Sequence, residues 1–353
     1  MRISRRALLA ASSLLLATPS LCADDESEAD DSFEFDEFTD ESQRSIDQGN
    51  QWLMRAMHRD GSCGVDIGQP SDIGCTSMVG LAWLSQGNTP VEGQYARQVL
   101  HIASYLLQCV EVMPSDDITT AVGTQLQGKI GRHAHTFFAT LFLSQVIGEG
   151  WDPELVRRAL DELVQTVARS QTAAGHWGQE SWAPTLGTVM GWSCLRGAHF
   201  AGFRVEASIE KVTDHLVRQM SQQLSQNNGN WMHNLYKNAT GIRVLYAMGQ
   251  EDEPIARRAM ADVVRLVTQD NTPFTQAGGE EYLSFHLITE TLLQKGGQEW
   301  RQWYPVVRDK LIRAQNSDGS WSGAHCITSR TFCTAAACLV LSAPNRYLPI
   351  SQL

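Results

Sequence analysis

The sequence lacks a long apolar run beyond residue 23, and it lacks a stripe of basic residues. No later apolar stretch approaches the roughly 20 residues that cross a bilayer, so we expect no transmembrane segment in the mature chain. Lysine and arginine occur singly or in pairs, a pattern that does not favour nucleic acid binding. At 353 residues and 42% hydrophobic, the chain can bury one large core or two smaller ones.

Cysteine is also scarce for a chain of this length. There are eight cysteines, and removal of an N-terminal signal that contains Cys22 would leave seven. An odd number cannot all pair within one chain. Seven cysteines in so large a body are too few for a disulfide scaffold.

The first 41 residues are predicted to be a targeting signal followed by a linker. Residues 1–23 combine a basic start, an apolar stretch and a plausible cleavage site after Ala23, which is typical of a secretory signal. The pair Arg5-Arg6 also suits the twin-arginine route. Residues 24–41 carry eleven carboxylates and no basic residue, which predicts a disordered acidic linker. We therefore expect an exported protein, periplasmic or secreted.

No clear pair of alternating strands joined by a hairpin turn is present, and helical periodicity dominates from residue 42 onward. In DPELVRRALDELVQTVARSQ the apolar positions Leu155, Ala159 and Leu163 recur at helical spacing. The segment opens with Asp152 and Pro153, an N-cap followed by proline in the first turn. The sequence therefore predicts an all-α fold over residues 42–353.

Six of the predicted helices share a threonine in a similar apolar context. The threonines are 45 to 60 residues apart, about the length of two helices with their turns, and they are Thr76, Thr136, Thr188, Thr240, Thr289 and Thr334. Six helical hairpins follow from this spacing. Because the first and last units are strongly apolar, an open row would expose them. We expect the row to close into an α/α toroid.

A repeated turn phrase marks the hairpins most clearly at RAQNSDGSW, residues 313–321, with related phrases at 57–64, 169–178 and 224–232. Gly319 permits a tight turn, Asp318 can bond to nearby backbone groups, and Trp321 offers a large packing surface. Structural roles are expected for Gln315 and for the tryptophans of the related phrases, Trp177 and Trp231.

This combination resembles the toroids of squalene–hopene cyclases and of protein prenyltransferase β subunits, since QNSDGSW is similar to the cyclase QW motif. The segments WRQWYPVVRDKLIRAQNSDGSW and APNRYLPI resemble secreted bacterial prenyltransferase/squalene-oxidase-repeat proteins. The resemblance covers residues 45–350 and implies an apolar central cavity. The Asp-x-Asp-Asp acid of the cyclases has no match here; the nearest phrase, MPSDDITT, offers only Asp116 and Asp117.

The prenyltransferase resemblance implies a zinc site made of an Asp, a Cys and a His. In this chain the residues before three aligned threonines are Cys75, His135 and Cys333, and closure of the ring would make their units neighbours. Two thiolates and an imidazole could hold zinc with one open position, with His135 as the candidate catalytic residue. The alternatives are simple packing of small side chains or a disulfide between the first and last units, through Cys75 and Cys333 or through Cys63 and Cys326.

Other polar residues are candidates for the cavity wall. His133 stands two residues before His135, and Glu281, Tyr282 and His286 precede Thr289 on one predicted helix. A satisfied polar rim around an apolar cavity would account for them without catalysis.

The sequence leaves several functions open. A non-catalytic toroid that binds a hydrophobic, isoprenoid-like molecule or a partner protein is the main prediction, and a zinc-dependent transferase or hydrolase is an alternative. A lanthionine cyclase lacks support because the Cys-His-Gly run is absent. A carbohydrate-active toroid is a further alternative. It needs paired carboxylates, for which Glu280, Glu281 and Glu180 are candidates, and sugar-stacking tryptophans, for which the candidates are Trp151, Trp182, Trp192, Trp231 and Trp303.

Overall fold

The structure is a computed structural model that describes residues 36–112, 123–149, 151–178, 180–223 and 230–352. These residues form fourteen α-helices, two short 3₁₀ helices and no strand. The α-helices are α1 (Asp40–Ala56), α2 (Ile73–Leu84), α3 (Ala96–Glu111), α4 (Gln125–Ile130), α5 (Ala134–Val146), α6 (Pro153–Ser170), α7 (Pro184–Phe200), α8 (Glu206–Gln223), α9 (Trp231–Ala247), α10 (Pro254–Gln269), α11 (Thr272–Thr275), α12 (Gly279–Lys295), α13 (Gly297–Ala314) and α14 (Arg330–Ser342). The 3₁₀ helices are Ala343–Asn345 and Pro349–Gln352.

Six helices form a closed inner ring in the order α2, α5, α7, α9, α12 and α14, and α14 packs back against α2. Every residue of α2 and of α5 is buried, as expected for helices that are apolar on all sides. The helices between them are amphipathic; α6, for example, buries Val156, Leu160 and Leu163 on one face. The predicted all-α toroid of six hairpins is confirmed.

Capping residues set the ends of several helices. The α1 helix begins with a capping box in which Thr39 and Ser42 bond to each other's backbone N–H groups. This start lies within the segment predicted as a linker, and residues 24–35 of that segment lie outside the described residues. At the start of α6, Asp152 accepts a hydrogen bond from the N–H of Leu155. No helix of the described chain is long and apolar enough to cross a membrane.

Two of the repeated turn phrases tie an inner helix to its outer neighbour. Thr334 accepts a hydrogen bond from the backbone N–H of Trp321 at 2.9 Å, and Thr188 donates to the carbonyl of Trp177 at 3.0 Å. Both indole N–H groups donate to outer-helix carbonyls, Trp321 to Leu311 at 2.8 Å and Trp177 to Val167 at 3.2 Å. In these two hairpins the threonine and the tryptophan therefore hold the helices together.

Gln315 and Gly319 serve the closure of the ring. The Gln315 amide donates to the carbonyl of Ser45 on α1 and to that of Gly319, both at 2.9 Å. Gly319 has φ of +90°, and a Cβ there would lie 2.6 Å from the carbonyl oxygen of Gln48. Asp318 accepts from the N–H of Ser320 and pairs with Arg330. The last turn thus fits against the first outer helix only with glycine at its tip.

The centre of the ring is filled, contrary to the expected cavity. Leucine and methionine side chains of the inner helices meet there, and Leu348 and Ile350 of the C-terminal segment enter from one end. The N–H of Ile350 donates to Gln145 at 3.0 Å, and Gln294 donates to the carbonyl of Ile350 at 2.8 Å. The remaining cavity measures about 10 Å³, the space of roughly one water molecule.

Candidate functional site

The N-termini of the inner helices gather at one end of the ring, which we call the N-terminal face. Contacts across this face join distant parts of the chain: Asp72 meets His135, and Lys129 meets Glu280. The opposite end is covered by residues 343–352, which contact α7, α12 and α14. Polar chemistry is therefore concentrated at the N-terminal face.

Two adjacent glutamates, Glu280 and Glu281, are buried at the start of α12, and both are 0% exposed. The segment before α14 approaches the start of α12 closely, because a Cβ on Gly279 would lie 2.5 Å from Ile327. Glu281 closes the first turn by accepting the N–H of Gly278, and its other oxygen accepts the hydroxyl of Tyr236 on α9. Local helix capping thus turns this acid into the interior.

The two carboxyls have different partners. The ammonium of Lys129 lies 3.1 Å from Glu280 Oε1, and the N–H of Ile327 donates to Glu280 Oε2 at 3.3 Å. Burial and the neighbouring charge of Glu280 raise the pKa of Glu281 to about 8, against the hydrogen bonds from Tyr236 and Gly278 that lower it. Glu281 is therefore largely protonated near neutral pH, while Glu280 forms an ion pair.

His325 lies between the two carboxyls. Its Nδ1 is 3.6 Å from Glu280 Oε1, and its Nε2 is 3.4 Å from Glu281 Oε2. The segment that carries it is fixed to the start of α12, since Ala324 donates to Ala277 at 2.7 Å and Gly279 donates to Ile327 at 2.8 Å. A single imidazole thus bridges both acids and reaches solvent, with 28% of its side chain exposed.

Lys129 provides a positive charge beside these side chains. We call Glu280, Glu281, His325 and Lys129 together the acid cluster. Lys129 donates to Cys326 Sγ at 3.0 Å. Burial disfavours its charged form, but the bonds to Cys326 and Glu280 outweigh that effect and raise its pKa. Ligand atoms of Glu280, His325 and Cys326 lie within 4.8 Å of one another, a spacing that could suit a metal ion. The lysine ammonium lies 3.1 Å from Glu280 and 3.0 Å from Cys326, so a cation of the protein itself already lies beside two of the three groups and we assign no metal.

An exposed tryptophan stands beside the cluster on the N-terminal face. Trp182 is 81% exposed. The backbone N–H of Trp182 donates to the carbonyl of Gly128 at 3.2 Å, and the backbone N–H of Ala183 donates to the carbonyl of Lys129 at 2.8 Å. The same backbone pairing therefore holds Trp182 and Lys129 in place. Glu180 lies nearby and accepts from the N–H of Arg132 at 3.3 Å.

The residues predicted to bind zinc do not form one site. Cys75 Sγ lies 3.4 Å from Ser329 Oγ, while Cys333 Sγ faces the carbonyl of Ile327 at 3.8 Å. His135 Nε2 is 3.4 Å from an oxygen of Asp72. The three ligand atoms are not grouped within 4.8 Å in the described chain. Burial, with nearby carboxylates, raises the pKa of both thiols well above the usual value, so each behaves as a neutral packing group.

The proposed disulfides are also absent. The seven cysteines of the described chain are free, including Cys75, Cys333, Cys63 and Cys326. Cys63 is buried in the first turn, where its N–H donates to Thr76 at 2.9 Å, whereas Cys326 is exposed and pairs with Lys129. The turns are fastened by hydrogen bonds instead.

The other predicted cavity residues have separate positions. Tyr282 is buried against Phe285, and His133 is the N-cap residue of α5. His286 lies in the filled centre, 3.9 Å from Glu290, and burial lowers its pKa. Of the predicted set, only Glu281 belongs to the acid cluster. Asp116 and Asp117 lie outside the described residues.

The five candidate stacking tryptophans divide by exposure. Trp192 and Trp303 are buried and donate to Thr213 and Thr289, both at 2.9 Å, so they are structural. Trp151, Trp182 and Trp231 reach the surface. Trp231 begins α9 and is half-buried, unlike the enclosed tryptophans of the other turns.

The sequence reasoning missed Lys129 and Tyr236. They are separated along the chain by more than 100 residues and carry no local motif. His325 precedes Cys326 in the sequence and likewise carries no local motif. The pair Glu280-Glu281 was visible because two adjacent acids interrupt an apolar helix start, which is costly unless they are paired.

Comparisons with known proteins support the fold and change the functional prediction. No family model and no curated protein sequence matches the chain. Among solved structures, an inactive variant of the α-1,6-mannanase GH76A of Salegentibacter sp. HEL1_6, with two consecutive aspartates replaced by asparagine and α-1,6-mannotriose bound, superposes with a TM-score of 0.60. The identity is 9%, over 87% of this chain and 100% of that one. A second inactive variant, with α-1,6-mannotetrose, gives 0.58 and 8%, over 88% and 100%.

These findings correct the main functional prediction. The chain is an α/α toroid similar in fold to an oligosaccharide-binding enzyme, and the prenyltransferase-repeat family is not confirmed. The ring centre, expected to hold an isoprenoid-like molecule, is filled by side chains and by the C-terminal segment. The hydrophobic-ligand prediction is therefore wrong, and the carbohydrate-active alternative is the better supported one.

Proposed function

We propose that this protein is a glycoside hydrolase whose reacting groups are Glu281 and Glu280. The observation that carries the proposal is a pair of adjacent buried carboxyls in different environments, one with a pKa raised to about 8 and the other paired with Lys129. Glycoside hydrolysis uses one protonated and one ionised carboxyl. Pairs of acids whose environments separate their protonation states are typical of such sites.

Each group has a role that follows from its contacts. Glu281 donates its proton to the oxygen of the leaving sugar, since it holds that proton near neutral pH. Glu280, which pairs with the ammonium of Lys129, stabilises the positive charge that develops on the sugar ring. Water then adds to the sugar carbon, and a proton from that water returns to Glu281. Both carboxyls are fully buried, and the part-exposed His325 lies against them, so a sugar reaches them only when His325 moves aside. Lys129 holds Glu280 and acts as a positioning residue. The exposed ring of Trp182 provides a stacking surface for a sugar on the same face.

The likeness to an α-1,6-mannanase supports a glycan as the substrate class, and it selects the first probes. We also propose that the protein is exported, because residues 1–23 have the features of a secretory signal. An exported enzyme would meet extracellular or cell-wall glycans.

Release of reducing sugar from α-1,6-linked mannan and from a panel of other linear glycans tests the proposal. Glu281→Gln and Glu280→Gln are each expected to lower kcat/KM by about 100-fold or more, the usual effect of removing an acid or base. Glu206→Gln is the matched control, because its side chain is 66% exposed and lies 3.5 Å from the surface residue His199. Activity should fall above about pH 8 as Glu281 loses its proton.

Two results would refute this function. One is full hydrolysis by a folded Glu281→Gln protein. The other is absence of hydrolysis across the whole panel by the parent protein, with its native melting transition intact.

A further inference from the structure

A groove opens on the surface between α9 and α10. Its volume is about 240 Å³. The α9 wall carries positions spaced by three and four residues, which share one face of a helix. The lining residues are Trp231, Asn234, Leu235, Asn238, Asp262, Arg265, Leu266, Gln269 and Asp270.

The floor of the groove combines an aromatic ring with aliphatic side chains. Trp231 is half-buried and packs against the core, so its ring is held by its neighbours while part of it stays open to solvent. Leu235 lies one turn further along and is fully buried. A fixed, partly open indole is suited to stacking on the apolar face of a pyranose ring.

Asn238 is the most buried polar residue of the groove. Only 6% of it is exposed, but its amide is not among the fully enclosed side-chain atoms that lack a partner in the described chain. Its amide lines the groove, so it offers both a donor and an acceptor to a molecule bound there.

The opposite wall carries charges that suit a neutral, hydroxyl-rich ligand. Asp262 and Arg265 form an ion pair on α10, and Asp270 is exposed at its end. Two carboxylates and one guanidinium do not favour an anionic ligand. Carboxylate, guanidinium and amide groups together can bond to adjacent sugar hydroxyls.

The groove and the acid cluster are linked through one inner helix. The α9 helix that carries Trp231 and Asn238 also carries Tyr236, which donates to Glu281. Along the chain, α10 is followed by α11 and then by α12, which begins with the two glutamates.

We propose that the groove is an oligosaccharide subsite that takes a neutral glycan through stacking on Trp231 and hydrogen bonds to Asn238. The choice of glycan rests on the proposed hydrolase function, whereas the groove chemistry is independent of it. Trp231 and Asn238 act in binding and lie outside the reacting pair.

Isothermal titration calorimetry of the full-length protein with α-1,6-mannotriose, and with cellotriose as a differently linked probe, tests the inference. At least one trisaccharide is expected to bind. Trp231→Ala is expected to weaken its binding by about 10-fold or more, in line with the loss of an aromatic contact, and Trp231→Phe should keep most of the affinity. Asn238→Ala should also weaken binding. Trp151→Ala is the matched control, since Trp151 is equally half-buried but lines a different groove.

Steady-state kinetics provide the second readout. Loss of a binding contact remote from the reacting atoms should raise KM and leave kcat nearly unchanged. A normal melting temperature for each variant shows that folding is retained. If Asn238→Ala fails to fold, the comparison of Trp231→Ala with Trp231→Phe still tests whether the groove binds the trisaccharide.

The outcomes separate this inference from the hydrolase proposal. Hydrolysis with an unchanged trisaccharide Kd in Trp231→Ala overturns the subsite alone. Binding that depends on Trp231 without any hydrolysis supports the subsite and overturns the hydrolase. Equal losses in Trp231→Ala and Trp151→Ala, or failure of both probes to bind, overturn the subsite.

Discussion

Replacing Glu281 by glutamine should change how stability depends on pH. The folded protein raises the pKa of this carboxyl from 4.5 to about 8, so between these values the folded state holds a proton that the unfolded chain has released. Its stabilising contribution is complete below the unfolded pKa and is lost as pH rises toward the folded pKa. The slope is about 1.4 kcal/mol per pH unit. The parent protein should therefore lose about 3 kcal/mol through this group between about pH 5 and about pH 7.

Urea unfolding at several pH values in that window measures the effect. Glutamine does not titrate, and its single side-chain oxygen can accept from Tyr236 or from the N–H of Gly278 but not from both. The lost hydrogen bond lowers stability by an amount that does not depend on pH. The stability of Glu281→Gln relative to the parent should thus rise by about 3 kcal/mol across the window, with other pH effects shared by both proteins. Glu206→Gln should show no such trend because its side chain is largely exposed. A constant difference between parent and Glu281→Gln would refute the reasoning.

Three further predictions concern the turns and the filled ring. Gly319→Ala places a Cβ at a φ of +90° and 2.6 Å from a carbonyl oxygen, so it should lower the unfolding free energy by about 3 kcal/mol or more. The control Gly68→Ala has a φ of +71° but open space around it and should cost only about 1–2 kcal/mol. An equal loss of stability for both variants in urea unfolding would contradict the close packing at Gly319. Leu348→Ala should cost about 2–5 kcal/mol in the same measurement, and a negligible loss would show that the C-terminal segment does not fill the ring. Thr334→Val should lower the unfolding free energy by about 1–3 kcal/mol because it leaves the buried backbone N–H of Trp321 without its acceptor. Thr334→Ser keeps the hydroxyl and should retain most of the parent stability. A Thr334→Ser protein as unstable as Thr334→Val would show that the hydroxyl does not stabilise the turn.

The fold could be predicted because the sequence patterns that specify it are local or periodic. Helical spacing of apolar residues records which faces are buried, and the threonines of the inner helices mark one hairpin after another. Thr76 and Thr334 recur because each hydroxyl bonds to the backbone of its preceding turn. An α/α toroid repeats the same contact between successive units, so a periodic sequence contains most of the information needed to predict it.

The site was less predictable because its contacts do not repeat. The zinc hypothesis assumed that neighbouring units bring their corresponding residues to one point. Side-chain direction decided otherwise: Cys75 turns toward Ser329, and His135 turns toward Asp72. Likewise, apolar inner helices predicted an apolar centre, but a pattern of apolar residues does not reveal whether that centre is empty. The side-chain volumes and the path of Leu348 and Ile350 closed it.

The sequence by itself determined an all-α chain of six hairpins, their turns and a pair of adjacent acids at the start of one inner helix. Only the tertiary structure decided that Lys129, Tyr236 and His325 meet those acids, and that a groove lies between α9 and α10 beside Trp231. The physical reason is that burial and helix formation depend mainly on residues near in the chain. The protonation of Glu281 depends instead on charges and hydrogen bonds brought together by closure of the ring.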